Sequence, residues 1–187
     1  MENRKTNIGL IGLGLDTYWP QFDGLYNRLC GYQEEIAGKM SCPEASIINA
    51  GIIDNPVKAK ETATELQKQD IHLLFIFIST YALSSPVLPF VQQLKVPVIL
   101  LNIQPAASID YEYINSLGDR GKMTGEWLAH CQACSVPEFA NVFNKAHIRY
   151  EILTGYLQEE YVWEQIHAWI EGAYVVNNMK HNRMGIL

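Results

Sequence analysis

Leu73-Leu74-Phe75-Ile76-Phe77-Ile78 is the stretch whose reading decides the fold. Six consecutive apolar residues, with no polar side chain among them, suit a strand buried on both faces, and such strands belong to parallel sheets covered by helices on either side. Shorter runs of the same character lie on either side of it: Ile8-Gly9-Leu10-Ile11-Gly12-Leu13, Ser46-Ile47-Ile48-Asn49-Ala50, Val96-Pro97-Val98-Ile99-Leu100-Leu101 and Tyr150-Glu151-Ile152-Leu153-Thr154. Between them the apolar spacing changes to a helical period. Strands alternating with helices predict an α/β domain: a doubly wound parallel sheet, Rossmann-like or flavodoxin-like in strand order, with helices on both faces.

The helices carry start signals. Leu25, Leu29, Tyr32 and Ile36 fall at helical intervals within residues 22–40. Asn55-Pro56 offers an N-cap followed by proline at the first helical position, for a helix running to about Gln69. Ser85-Pro86 repeats that logic. Ser135-Val136-Pro137-Glu138 reads as a capping box opening a helix to about Ala146. Val162, Ile166, Trp169, Ile170 and Ala173 form the apolar stripe of the last helix. Residues 102–121 lose the pattern, and Gln104-Pro105, Gly118 and Asp119 look like loop chemistry. Arg183-Met184-Gly185-Ile186-Leu187 resembles a strand beginning; it either closes the sheet or starts a unit continued in a longer protein, and the second reading is preferred.

Of 187 residues, 48% are hydrophobic and 18% charged, enough apolar material for one large domain over 1–187 and too much for a disordered chain. No run reaches the ~20 apolar residues that a spanning helix needs, so no membrane is expected. The polar start, Met1 to Asn7, leads into an apolar run too short and too rich in glycine for a signal peptide, and the cytoplasm is expected. A formal net charge of -6 with scattered lysines and arginines argues against nucleic acid. Cys30, Cys42, Cys131 and Cys134 are too few and too unevenly spaced for a disulfide framework, and are read as reduced thiols without zinc.

Three motifs invite chemistry, each with a plainer reading beside it. Gly12-Leu13-Gly14-Leu15-Asp16-Thr17 partly matches a dinucleotide-binding turn, but Thr17 replaces the third glycine and Asn49-Ala50 stand where an acidic residue should end the second strand. A tight turn explains it better. Cys131-Gln132-Ala133-Cys134 has CxxC spacing before a helix, where redox chemistry is conceivable and small packing residues are the simpler reading. Ser79, Ser84 and Ser85 lack a nucleophile elbow and read as caps; His72, His167 and His181 read as solvated. Because ligands of open parallel sheets sit beyond the carboxyl ends of the strands, one edge should gather Asp16, Tyr18, Trp19, Ser79, Tyr81, Asn102, Gln104 and Thr154. Hydroxyl, amide and aromatic groups of this kind suit a sugar, although an ordinary polar rim is the simpler reading of these residues alone.

Two stretches, Gly14-Leu15-Asp16-Thr17-Tyr18-Trp19-Pro20-Gln21-Phe22 and Cys134-Ser135-Val136-Pro137-Glu138-Phe139-Ala140-Asn141-Val142-Phe143-Asn144, with Leu153-Thr154-Gly155 and Trp169, resemble the N-terminal region of L-arabinose isomerases and the related L-fucose isomerase-like proteins. The resemblance spans nearly the whole chain. It implies part of an aldose–ketose isomerase whose divalent metal, usually manganese, and catalytic carboxylates lie beyond this chain, so that no catalytic residue, metal ligand or cofactor is assigned here. It also implies a small-molecule sugar as ligand and a homo-oligomer joined through the pocket edge. The pocket rim would be Asp16, Tyr18, Trp19, Gln21, Tyr81, Gln104 and Cys134. Cys134 stands where typical L-arabinose isomerases carry a histidine that reaches a neighbouring subunit's active site, a departure that leaves the sugar open, since a thiol cannot reproduce an imidazole's hydrogen bonds. The rival reading is a non-catalytic sugar-binding or regulatory module of the same fold.

Overall fold

The backbone groups of a strand without polar side chains are satisfied only by two flanking strands, and Leu73–Ile78 has both. The computed structural model describes residues 4–180. Strands β1 (Thr6–Leu13), β2 (Ala45–Ile53), β3 (Leu73–Ile78), β4 (Val98–Gln104) and β5 (Tyr150–Tyr156) form one all-parallel sheet in the order β2-β1-β3-β4-β5. Of the two orders the sequence left open, this is the flavodoxin-like one.

Alternation along the central strands feeds two cores. Leu74, Ile76 and Ile78 of β3 join Ile11 and Leu13 of β1 on the face covered by α2 (Pro56–Lys68), α3 (Val87–Leu94) and α6 (Val136–Lys145), where Phe90, Phe139 and Phe143 are buried. Leu73, Phe75 and Phe77 join Ile8, Leu10, Ile99 and Leu101 on the face covered by α1 (Leu25–Lys39) and α7 (Glu160–Lys180). The outer strands β2 and β5 are half-exposed along most of their length, as edges must be. A bulge interrupts β2 opposite Leu10 and Gly12, with Gly51 at φ 75°, a left-handed conformation that glycine adopts without strain. Buried Gln33 of α1 fixes it, donating to Asn49 Oδ1 (2.6 Å) and to the Gly51 carbonyl (3.1 Å).

Asn55 caps α2 through the Lys58 N–H, as its sequence predicts. Other starts differ from expectation. The capping box at Ser135 and Glu138 does not form: Ser135 Oγ accepts instead from the Ala82 N–H (3.3 Å), and Glu138 accepts from the N–H and hydroxyl of Ser84 (2.8 and 2.6 Å). Both side chains are drawn to the loop after β3, whose buried donors and acceptors need partners more than the helix end does. At α3 no Ser85 cap forms; the Ser84 carbonyl takes the N–H groups of Val87 and Leu88. Trp169 faces outward from α7, 36% exposed, while Val162, Ile166 and Ile170 are buried. The irregular segment after β4 contains two short helices, α4 (Tyr111–Ser116) and α5 (Arg120–Leu128), capped by Asp110 and Asp119. His181 and the strand expected at Arg183 to Leu187 lie outside the described residues. No helix among the described residues is long and apolar enough to cross a membrane.

Phe77 is 1% exposed at the centre of the sheet. Phe77→Ala should lower unfolding free energy by about 3–5 kcal/mol through lost burial and a residual cavity, with the urea midpoint reporting it. Val57→Ala on exposed α2 surface should move stability by no more than ~0.5 kcal/mol in the same assay. Equal effects would contradict the placement of β3 in the core.

Candidate functional site at the carboxyl edge of the sheet

The chain leaves β1 toward β2 on one side and leaves β3 toward β4 on the other, so their loops diverge and open a crevice at the strands' carboxyl ends. The Ser79 hydroxyl donates to the Leu13 carbonyl and ties the two strand ends together. Beyond Leu13 the backbone stays attached to β2, with Gly14 N–H on the Ile53 carbonyl (3.0 Å) and Asp16 N–H on the Asp54 carbonyl (3.3 Å), before a 3₁₀ turn over Asp16–Tyr18. That turn delivers Trp19 back into the crevice. Its indole N–H donates to Asp54 Oδ2 (2.9 Å), and its ring meets Tyr26 edge-on with centroids 5.0 Å apart.

Asp54 corrects the sequence reading of β2. The strand runs past Asn49-Ala50 to Ile53, so an acidic residue does follow it. The approach to Gly14 that its missing side chain opens is nevertheless taken by Trp19. A Cβ placed on Gly14 would lie 2.7 Å from the Trp19 ring, so the bareness of that glycine serves the protein's own tryptophan. Asp54 is buried and already receives Trp19, Asn55 Nδ2 (3.2 Å) and Lys58 Nζ (3.6 Å).

Of the rim residues expected from sequence, Tyr18 and Tyr81 come together: burial first, then the neighbouring Tyr81, raises the Tyr18 phenol above its ordinary pKa. Tyr18 also packs edge-on against Trp19 and Phe22, at 6.4 and 5.9 Å between centroids. Asp16 is exposed. Gln21 donates to the Thr17 carbonyl (2.5 Å) and lines a cleft described below. Gln104 points inward. With its amide oriented to match donors to acceptors, it donates to Gln132 Oε1 (2.8 Å) and the His130 carbonyl (3.1 Å) and accepts from the Ala133 N–H (3.2 Å). Gln132, fully buried, donates in turn to the carbonyls of Ser79 (2.9 Å) and Ala129 (2.8 Å). Gln104 is thus a brace that fixes the 130–133 turn to β4. Asn102 donates to Thr154 Oγ1 (3.3 Å) across the ends of β4 and β5. Cys134 is exposed and bridged to Cys131 as a disulfide, which corrects the expectation of reduced thiols there; Cys30 and Cys42 are free. The CxxC spacing brings the two Cα atoms to 5.4 Å, within reach of a bridge.

The sequence reading passed over the most charged part of this edge. A cleft of about 600 Å³ runs between the start of α1 and the α4–α5 segment, lined by Gln21, Phe22, Arg28, Tyr113, Lys122 and Glu126 among others. At its floor Arg28 donates to Glu126 Oε2 (2.6 Å) and to the Tyr32 hydroxyl (2.6 Å), and its Nη2 lies 3.4 Å from His130 Nε2. His130 Nε2 is also 3.5 Å from Glu126 Oε1. Arg28 holds Glu126 below the usual carboxylate range. Burial, followed by Arg28, depresses His130 below its ordinary value, outweighing the pull of Glu126. A neutral imidazole whose Nε2 accepts from Arg28 satisfies that contact, whereas a proton on Nε2 would turn the same nitrogen into a donor to Glu126. Arg28 and Tyr32 are i, i+4 on α1, and Glu126 and His130 have the same separation along α5 and the turn after it. Those paired spacings were visible in sequence; their meeting across about 100 residues was not.

Among the described residues, no group of three His, Cys, Asp or Glu side chains converges to hold a metal ion. No protein-family model matches the chain, and no curated protein shows significant sequence similarity to it.

Depressed pKa values for His130 and Glu126 give stability a definite pH dependence. In each case the unfolded chain takes up a proton more readily than the folded one, so stability present at neutral pH is lost on acidification. The loss begins as pH falls below the ordinary histidine value of 6.5 and steepens below the ordinary carboxylate value of 4.5. Urea unfolding across this range should show the first decline, and His130→Gln should remove it while leaving the second. An unchanged profile in the variant would assign the first decline to another group.

Proposed function

We propose that this chain is a sugar-recognition and assembly domain of an aldose–ketose isomerase similar to the L-arabinose and L-fucose isomerases, acting in the cytoplasm as part of a homo-oligomer. The observation that supports this reading best is the cleft: about 600 Å³, with amide, guanidinium and ammonium donors from Gln21, Arg28 and Lys122 beside the apolar surfaces of Phe22 and Tyr113. Sugar sites combine these elements, since hydroxyls take hydrogen bonds while the carbon face of a ring lies on an aromatic.

Manganese does not fit the described residues of this edge. Among these residues the exposed Asp16 and Asp23 have no third His, Cys, Asp or Glu converging with them, while Asp54 holds Trp19 and Lys58, Glu126 holds Arg28, and Glu138 holds Ser84. A carboxylate so engaged must surrender a charge-assisted bond before it can take a cation or move a proton. Isomerisation by metal polarisation and carboxylate proton transfer therefore belongs, in this proposal, to a part of the protein outside this chain. Tyr18, Trp19, Tyr81 and Cys134 would then face the neighbouring subunit at the mouth of the crevice.

A second reading, a self-sufficient sugar-binding or regulatory module, is supported by the cleft itself, whose amide, cationic and aromatic side chains lie between α1 and the α4–α5 segment. One measurement tests the division of labour and a second separates the readings. The purified chain with manganese and a panel of pentoses and 6-deoxyhexoses should give no isomerisation; turnover that scales with protein and disappears with chelator would overturn the division of labour proposed here. NMR titration with the same sugars should move cleft resonances, and Tyr113→Ala or Lys122→Ala should weaken that binding by about tenfold, equivalent to ~1.4 kcal/mol. Saturable binding by the chain alone at metabolite concentrations supports the module, binding seen only when the remaining part of the enzyme is added supports the isomerase domain, and no binding under either condition defeats both.

A further inference from the structure

We propose that the Cys131–Cys134 bridge is a thiol–disulfide exchange site for a dithiol reductant, with Cys134 as the sulfur attacked. The position of the bridge carries the argument. It spans three residues of sequence and links no two elements of the fold, so it restrains little of the unfolded chain, and a cross-link gains stabilising power with the length of the loop it closes. The segment it sits in has its own frame. Gln132, between the two cysteines, bonds the Ser79 and Ala129 carbonyls, Gln104 grips both Gln132 and Ala133, and Thr80 Oγ1 donates to the Leu128 carbonyl (2.8 Å). None of these bonds passes through sulfur, so the bridge can open without dismantling the turn.

Its two ends are unequal. Cys131 is 1% exposed whereas Cys134 is at the surface, so an incoming thiolate has access to one sulfur only. Cys134 also stands just before the ten-residue helix α6, whose dipole favours an anionic sulfur when Cys134 is released from the mixed disulfide. In the exchange, a thiolate of the dithiol attacks Cys134 Sγ. A sulfur–sulfur bond forms to Cys134 as the Cys131–Cys134 bond breaks, and the electron pair leaves on Cys131. The second thiolate of the dithiol then attacks its own sulfur in the mixed disulfide, closing the reductant's disulfide and releasing Cys134. Two electrons pass to the bridge, and the two protons lost by the dithiol end on Cys131 and Cys134. In the cytoplasm of the proposed function, dithiol reductants would draw the site toward its two-thiol form. The chemistry itself is independent of the isomerase reading.

The test uses wild-type protein at a dilution where light scattering reports a single protomer, equilibrated in graded ratios of reduced to oxidised dithiothreitol, acid-quenched, alkylated and read by mass spectrometry on the peptide carrying both cysteines. A reversible two-electron transition with unchanged far-UV circular dichroism is expected. A bridge that withstands excess dithiol until urea unfolds the chain, or thiols that fail to re-form it under oxidised dithiothreitol, would overturn the proposal. Attack at Cys134 is read separately with glutathione disulfide: Cys131→Ser should form the mixed disulfide at Cys134 about tenfold faster than Cys134→Ser forms one at Cys131. Equal rates, or the reverse order, would refute the role given to Cys134. Sugar titrations of the oxidised and reduced protein belong to the other proposal, and either can fail alone.

Discussion

Backbone hydrogen bonding in a strand with no polar side chain is the constraint from which the architecture follows. Residues 73–78 can neither face water nor satisfy their peptide groups through side chains, so two strands must flank them and two layers of helix must cover them. β1 and β4 supply the first requirement. Phe90, Phe139 and Phe143 on one face, and Ile36, Ile166 and Ile170 on the other, supply the second. Placing β3 beside β1 instead of beside β2 produces the divergence of loops at the carboxyl edge, and the crevice there is a consequence of strand order before it is a property of any side chain.

What fills that crevice is mostly the protein itself. Trp19 occupies the space beside Gly14 and claims Asp54, Gln104 turns inward to brace the 130–133 turn, and Ser79 closes the gap between β1 and β3. Groups that looked available as isolated letters are engaged because a buried polar atom without a partner costs more than an exposed one gains. The accessible volume is displaced sideways, over α1 and α5, where the Arg28–Glu126 pair keeps two charges half-buried at the floor of the cleft.

The strands and most helices were legible in the sequence because local signals set them: apolar runs for β1, β3 and β4, and Asn55-Pro56 for α2. The end of β2 was misplaced because Asn49 looked like a stop, whereas its side chain supports the Gly51 bulge and lets the strand continue. The Ser135–Glu138 box failed because a tertiary demand from the loop after β3 outbid a local one, something no window of neighbouring residues contains. Trp169 was assigned to the buried stripe on spacing, but the inner face of α7 is complete with Val162, Ile166 and Ile170. The charged cluster of Arg28, Glu126 and His130 joins residues about 100 positions apart, so each half reads as an ordinary surface pair until the fold brings them together.

The Gly51 bulge has a meaning for association. β2 is a sheet edge, and a straight edge offers its free N–H and C=O groups as a template on which another chain can add a strand. With one residue out of register and held there by Gln33 and Asn49, this edge bends away from any regular partner, and a strand arriving alongside would find its ladder broken midway. Extension of the sheet from copy to copy, the route to ribbons and fibres, is thus opposed on that side by a glycine and two amides.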